Sequence, residues 1–323
     1  MFLPLVELDK QIGRPCMQAD LRAMDASRWE QLLRDYRPTV LLSAWNTPPL
    51  PAAWIEERES PLRYICHLTG SVRNLVPRTF LERGGLLTNW GGLAGETVAE
   101  HALLLALASL RRQPSWISVI TNQNTSPGVN ASARLRTHTL RGRRVGIHGF
   151  GHVARSLVSL LKPFGVEIAA FSAGVPHALM RTAGVTPCDS LRDLAARSEV
   201  FFECEALNPR TTGSVNAAVL AALAEGAVFV NVGRGAVVDE PALLAAARSG
   251  RIQVALDVFT REPIGPDSPF LAVPDAIISP HVAGPTFDQF PECGRLALDN
   301  LGRYLRGEPL EAPVTAELYD RST

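Results

Sequence analysis

The chain has 323 residues, enough for two domains, and its 32 Lys+Arg are balanced by 32 Asp+Glu. With 46% apolar and 20% charged residues it is an ordinary globular sequence, which excludes a disordered chain. Zero net charge argues against a general nucleic-acid binder, whose surface carries a basic excess.

The opening residues MFLPLVELDK carry Glu7 and Asp9 and lack a basic start before a long apolar run, so they do not read as a secretory signal. Strand-like runs follow over 40–44, 64–66, 144–148, 166–171, 200–202, 227–231 and 276–278. Between them helical periodicity predicts helices over 97–111, 152–162, 190–197, 216–224 and 240–249. This alternation implies a parallel sheet with crossover helices, hence a doubly wound α/β fold. The longest apolar stretch, 102–110, is short of the ~20 residues that span a bilayer, and no membrane partner is expected. Residues 113–139, rich in Ser, Thr, Asn and Pro, read as a long surface connection. Five arginines in 134–144 admit an anion site, although a solvated loop is the simpler reading. Lys10 and Lys162 are the chain's lysines and every other basic residue is arginine, so no arginine counts as functional unless its surroundings single it out. Five cysteines, at 16, 66, 188, 204 and 293, are odd in number and without C-x-x-C spacing. They imply neither disulfides nor a metal site, and the default compartment is the reducing cytoplasm.

After the strand at 144–148 comes Gly149-Phe150-Gly151-His152-Val153-Ala154, a G-x-G-x-x-A pattern between a strand and a helix. Gly149 permits a tight turn, and Gly151 lets the backbone approach a pyrophosphate resting on the positive end of the helix. Dinucleotide binding is therefore expected. An acidic residue that would bond the ribose belongs about 20 residues on, but Ser172 stands there, followed by Ala173-Gly174. Both NAD and NADP stay open, because the carboxylate is missing and no arginine adjoins Ser172.

Three further segments, 229–240 (FVNVGRGAVVDE), 255–259 (ALDVF) with Glu262-Pro263, and 279–284 (SPHVAG), resemble in order and spacing the D-isomer-specific 2-hydroxyacid dehydrogenases. Residues 97–103 resemble that family's domain-crossing helix, and 300–309 its terminal helix. The resemblance implies two Rossmann-like domains, with the nucleotide domain (96–286) inserted into a substrate domain made of 1–95 and 287–323. It also implies a homodimer, a small 2-keto or 2-hydroxy acid substrate, and closure of the two domains to exclude water.

The chemistry asks for such residues independently. Hydride transfer to a 2-keto acid leaves an alkoxide that needs a proton, and an imidazole suits that task. By resemblance the donor is His281, with Glu262 on its other ring nitrogen. A fork of permanently charged donors suits a keto-carboxylate, a role that falls to Arg234. Read alone, these would be a loop histidine, a surface carboxylate and one arginine among many. The resemblance adds Val232, Gly233, Asp257 and Gly284 to the cofactor site, with Asp257 on the nicotinamide carboxamide; read alone, Asp257 is a strand-end residue capping a turn. Gly70 and Ser71 correspond to the loop whose backbone holds the substrate carboxylate. Ser71 replaces a frequent glycine, and Arg73 a frequent Asp or Tyr. Whether Arg73 or Trp45 meets a ligand stays open. Glu203 and Glu205 depart from the family pattern and read as a solvated strand end. The same fold also admits phosphite oxidation, or a nucleotide-sensing co-regulator that does no chemistry.

Overall fold

The structure is a computed structural model and describes residues 12, 13, 16–21, 24–121 and 135–321. The opening decapeptide and Arg134 lie outside these. The chain divides into two compact units, Met1–Ala94 with Pro285–Thr323, and Gly95–Gly284, so the second is inserted into the first.

In the discontinuous unit, β1 (Val40–Ser43), β2 (Tyr64–His67) and β3 (Leu86–Thr88) form a parallel sheet in sequential order. Every residue of β2 is buried, as a central strand covered on both faces requires. Trp29, Trp54, Ile65, Phe80 and Leu87 build its core, which Val314 and Tyr319 from the C-terminal segment complete. The helix expected over 300–309 runs over Phe290–Arg306, and a further helix, Ala316–Arg321, follows it. The longer helix stops at Gly307 (φ 70°), whose left-handed conformation favours glycine.

The inserted unit carries seven parallel strands: β4 (Arg144–His148), β5 (Glu167–Phe171), β6 (Thr186–Pro187), β7 (Val200–Glu203), β8 (Val228–Asn231), β9 (Gln253–Leu256) and β10 (Ile277–Ile278). Their order, β10-β9-β8-β7-β4-β5-β6, reverses between β4 and β7, which makes the sheet doubly wound. Alternate residues feed two cores. Val200, Phe202, Val228 and Val230 enter one, with Ile147 and Leu157, while Phe201 and Phe229 stack at 5.4 Å in the other. Predicted helix starts coincide with side-chain caps: Ser190 accepts from Asp193 N–H, Asn216 from Ala218 N–H and Asp239 from Ala242 N–H.

The helix Leu93–Leu110 is long and apolar enough to cross a membrane, a test that core helices also pass. Its Ala99, Ala102, Leu105 and Ala106 belong to the core of the inserted unit. Residues 113–121 are not the irregular connection expected of them. They form a 3-10 turn (Gln113–Ser115) and a helix (Trp116–Thr121), because Pro114 starts the turn well and Arg112 and Ser115 both bond Asp275. The arginines nearest β4 serve the fold: Arg143 pairs with Glu199 at 2.9 Å, and Arg144 donates to the Arg197 carbonyl at 3.0 Å.

Candidate active site

A doubly wound sheet binds ligands beyond the carboxyl ends of its strands, where the strand order reverses. At that point β4 ends in His148, and Gly149 turns the chain with φ 95°. A Cβ on Gly149 would stand 2.8 Å from backbone atoms of Cys204 and Glu205, so strain and crowding both demand glycine. Gly151 starts the helix His152–Leu161 without a side-chain cap, and a Cβ there would meet nothing within 4 Å. Unclaimed N–H groups beside open space fit a dinucleotide's pyrophosphate. Ala154 is fully buried in the core, the place where only a small third residue fits. Phe150 is also buried, which leaves its backbone alone to face a ligand; His152 is exposed and Val153 half-buried.

Glu203 and Glu205 are not a solvated strand end. Glu203 is fully buried, and its Oε2 lies 2.5 Å from His148 Nδ1. The two occupy paired positions on adjacent strands β4 and β7, which the sequence spacing of 55 residues conceals. Burial raises the pKa of Glu203. Burial lowers that of His148, but the Glu203 charge and hydrogen bond outweigh it and hold the imidazole above its ordinary value. Glu205 accepts a 2.7 Å hydrogen bond from Ser172 Oγ.

The catalytic candidates gather at the ends of β8, β9 and β10. At the end of β8, Asn231 Oδ1 accepts from Gly233 N–H at 3.1 Å and ties down the turn that carries Arg234. Gly235 lets this turn pass the chain after β9, since a Cβ there would fall 1.9 Å from the Phe259 carbonyl carbon. One Arg234 nitrogen donates to the Gly233 carbonyl at 2.7 Å. Burial lowers the Arg234 pKa while the Glu262 charge opposes the shift.

His281 and Glu262 come together: Nδ1 lies 2.7 Å from Oε2, and the other carboxylate oxygen accepts from Phe259 N–H at 2.8 Å. His281 adopts φ 54° in a loop held by Asp257. Asp257 Oδ1 accepts from Ser279 Oγ (2.6 Å) and Val282 N–H (2.9 Å), and Oδ2 from Ala283 N–H (3.0 Å). Asp257 is 0% exposed, and its carboxylate caps the 279–283 turn. Burial favours its neutral form, but these donors and His101 outweigh that and lower its pKa. His101 Nε2 lies 2.9 Å from Ser279 Oγ. His101 and Ser279 stand within the recognised motifs, yet their types alone do not announce this supporting task. Gly284 faces open space.

In the discontinuous unit, Gly70 lies against the Trp90 indole, where a Cβ would approach to 2.5 Å, and Ser71 is exposed. Below them His67 is buried, with Nδ1 2.9 Å from Ser43 Oγ and Nε2 2.5 Å from Thr69 Oγ1. Burial lowers its pKa to about 4. The unfolded chain takes up this proton near pH 6.5 and the folded chain only near 4. Stability contributed by neutral His67 is therefore complete above pH 6.5 and falls by about 3 kcal/mol as pH drops to 4. Urea unfolding at a series of pH values should show this slope, and His67→Asn should flatten it. Arg73 packs over the Tyr319 ring at 5.9 Å, and half-exposed Trp45 meets Trp90 and Phe290 edge-on. Among the described residues, no cluster of three or more His, Cys, Asp or Glu could hold a metal.

The inserted unit thus defines a dinucleotide-binding α/β protein with a hydrogen-bonded His–Glu pair and a half-buried arginine beyond its strands. A family model described as "D-isomer specific 2-hydroxyacid dehydrogenase, NAD binding domain" matches residues 101–283. Human glyoxylate reductase/hydroxypyruvate reductase is 32% identical over 254 residues, 78% of this chain and 77% of its own. The D-3-phosphoglycerate dehydrogenase of Methanocaldococcus jannaschii is 27% identical over 88% of this chain, which spans 53% of that longer relative. The fold is similar to apo D-mandelate dehydrogenase from Rhodotorula graminis, with TM-score 0.81 and 23% identity over 96% of this chain and 94% of that one. The chain belongs to the D-isomer specific 2-hydroxyacid dehydrogenase family.

Proposed function

We propose that this protein interconverts a 2-keto acid and a D-2-hydroxy acid. A nicotinamide dinucleotide, NAD or NADP, would supply or accept the hydride. The observation that carries this reading is the 2.7 Å contact between His281 Nδ1 and Glu262 Oε2. With Nδ1–H turned to the carboxylate, Nε2 is the atom that holds the proton exchanged with the substrate oxygen. Glu262 keeps the ring in that tautomer and stabilises its cationic form. The remaining guanidinium donors of Arg234 orient the keto-carboxylate.

In support of a reducing compartment such as the cytoplasm, Cys66, Cys188, Cys204 and Cys293 are free thiols. A homodimer joined through the inserted unit would cover the exposed Leu104, Ile117 and Ile120. Purified protein given NADH or NADPH with a panel of 2-keto acids should consume one of them. Cofactor binding without consumption of any would replace this reading with that of a nucleotide sensor.

A further inference from the structure

An NAD-binding α/β unit usually holds the adenosine ribose with an acid at the end of its second strand. Here that strand, β5, is followed by Ser172. Its hydroxyl donates to Glu205 Oε2 at 2.7 Å, so a carboxylate reaches the same position from the end of a different strand.

The backbone carrying Glu205 is firmly placed. Cys204 N–H donates to the His148 carbonyl at 2.9 Å, and Glu205 N–H to Glu203 Oε1 at 2.8 Å. Glu205 Oε1 accepts from Ala206 N–H at 3.0 Å, which fixes the carboxylate's direction. No cation stands beside it in sequence: Ala173 and Gly174 follow Ser172, and Arg181 is exposed on the helix His177–Thr182.

We propose that Glu205, steadied by Ser172, is the ribose-recognising acid of this protein and selects NAD(H) over NADP(H). A ribose 2′-hydroxyl donates to a carboxylate. A 2′-phosphate only accepts, and as a phosphate monoester it carries about −1.5 to −2 charges at pH 7, which the carboxylate repels. The proposal rests on the dinucleotide reading given above.

The test is a calorimetric titration of the full chain with NADH and, separately, NADPH, without substrate. NADH should bind at least about tenfold more tightly. Glu205→Gln, nearly isosteric, should weaken NADH and strengthen NADPH, bringing the ratio toward one. NADPH binding as tight as NADH to the unaltered protein would overturn the proposal, as would an unchanged ratio in the variant. The first comparison needs no variant, so it stands even if Glu205→Gln fails to fold. Binding of neither cofactor would overturn the dinucleotide reading itself, and this proposal with it.

Discussion

His281→Gln is expected to lower kcat by about 10²–10⁴-fold, the usual contribution of a positioned general acid, while NADH affinity is retained. Glutamine fills similar space and keeps a polar contact to Glu262, but it cannot deliver a proton at the position of Nε2. The loss should fall on kcat and kcat/KM together, because proton transfer belongs to the transition state alone. Glu262→Gln should cost less. The amide oxygen can still accept from Nδ1–H and orient the ring, but the Phe259 N–H then loses its acceptor and the charge that stabilises the cation is gone. Full turnover in His281→Gln, measured at saturating cofactor and keto acid, would remove His281 from the chemistry.

The second large effect concerns stability. Glu203→Ala should destabilise the fold by about 1–3 kcal/mol, the cost of leaving the buried His148 imidazole without its hydrogen-bond partner. Glu203 is 0% exposed and His148 2%, and neither has water to turn to. The same substitution removes the acceptor of Glu205 N–H, so NADH affinity should weaken in parallel. Replacing both partners, as in Glu203→Leu with His148→Phe, should recover most of the stability, because no buried polar group is then left unpartnered. Phe171 already stacks on the His148 ring at 6.0 Å and would accept a second phenyl group. Urea denaturation of Glu203→Leu, His148→Phe and the pair measures the coupling. Additive losses would mean that the ion pair contributes nothing of its own.

The contrast between His281 and Glu203 explains which parts of the molecule could be read in the sequence. Gly149 and Gly151 were legible because the chemistry of a tight turn and a close approach restricts those positions to few residue types, whereas Arg234 was singled out by family resemblance alone. Helices begun by Ser190, Asn216 and Asp239 were legible from their apolar periodicity. Glu203 was not, since its partner lies on the neighbouring strand and only sheet pairing brings the two together. Glu205 and Ser172 are likewise joined across 33 residues. The strands β3 and β6 span three and two residues, too few for a period of two to register. The helix Trp116–Thr121 was missed because its apolar residues Trp116, Ile117 and Ile120 face outward and mark no core stripe. Asp257 was visible as a residue, but its engagement with Ser279, Val282 and Ala283 belongs to the folded loop.

Insertion of one unit within the other also sets a timetable for synthesis. The Tyr319 hydroxyl donates to the Val76 carbonyl, a partner 243 residues earlier in the chain. At about 5–20 residues per second, a ribosome takes roughly 10–50 s to deliver the second after the first. The contiguous unit Gly95–Gly284 has all of its strands before that moment. Trp29, Trp54 and Phe80, by contrast, wait without Val314 and Tyr319 to cover them. The nascent protein therefore passes through a stage in which its first-made part is its last-finished one, and in that interval its aromatic core is most open to chaperones and to other chains.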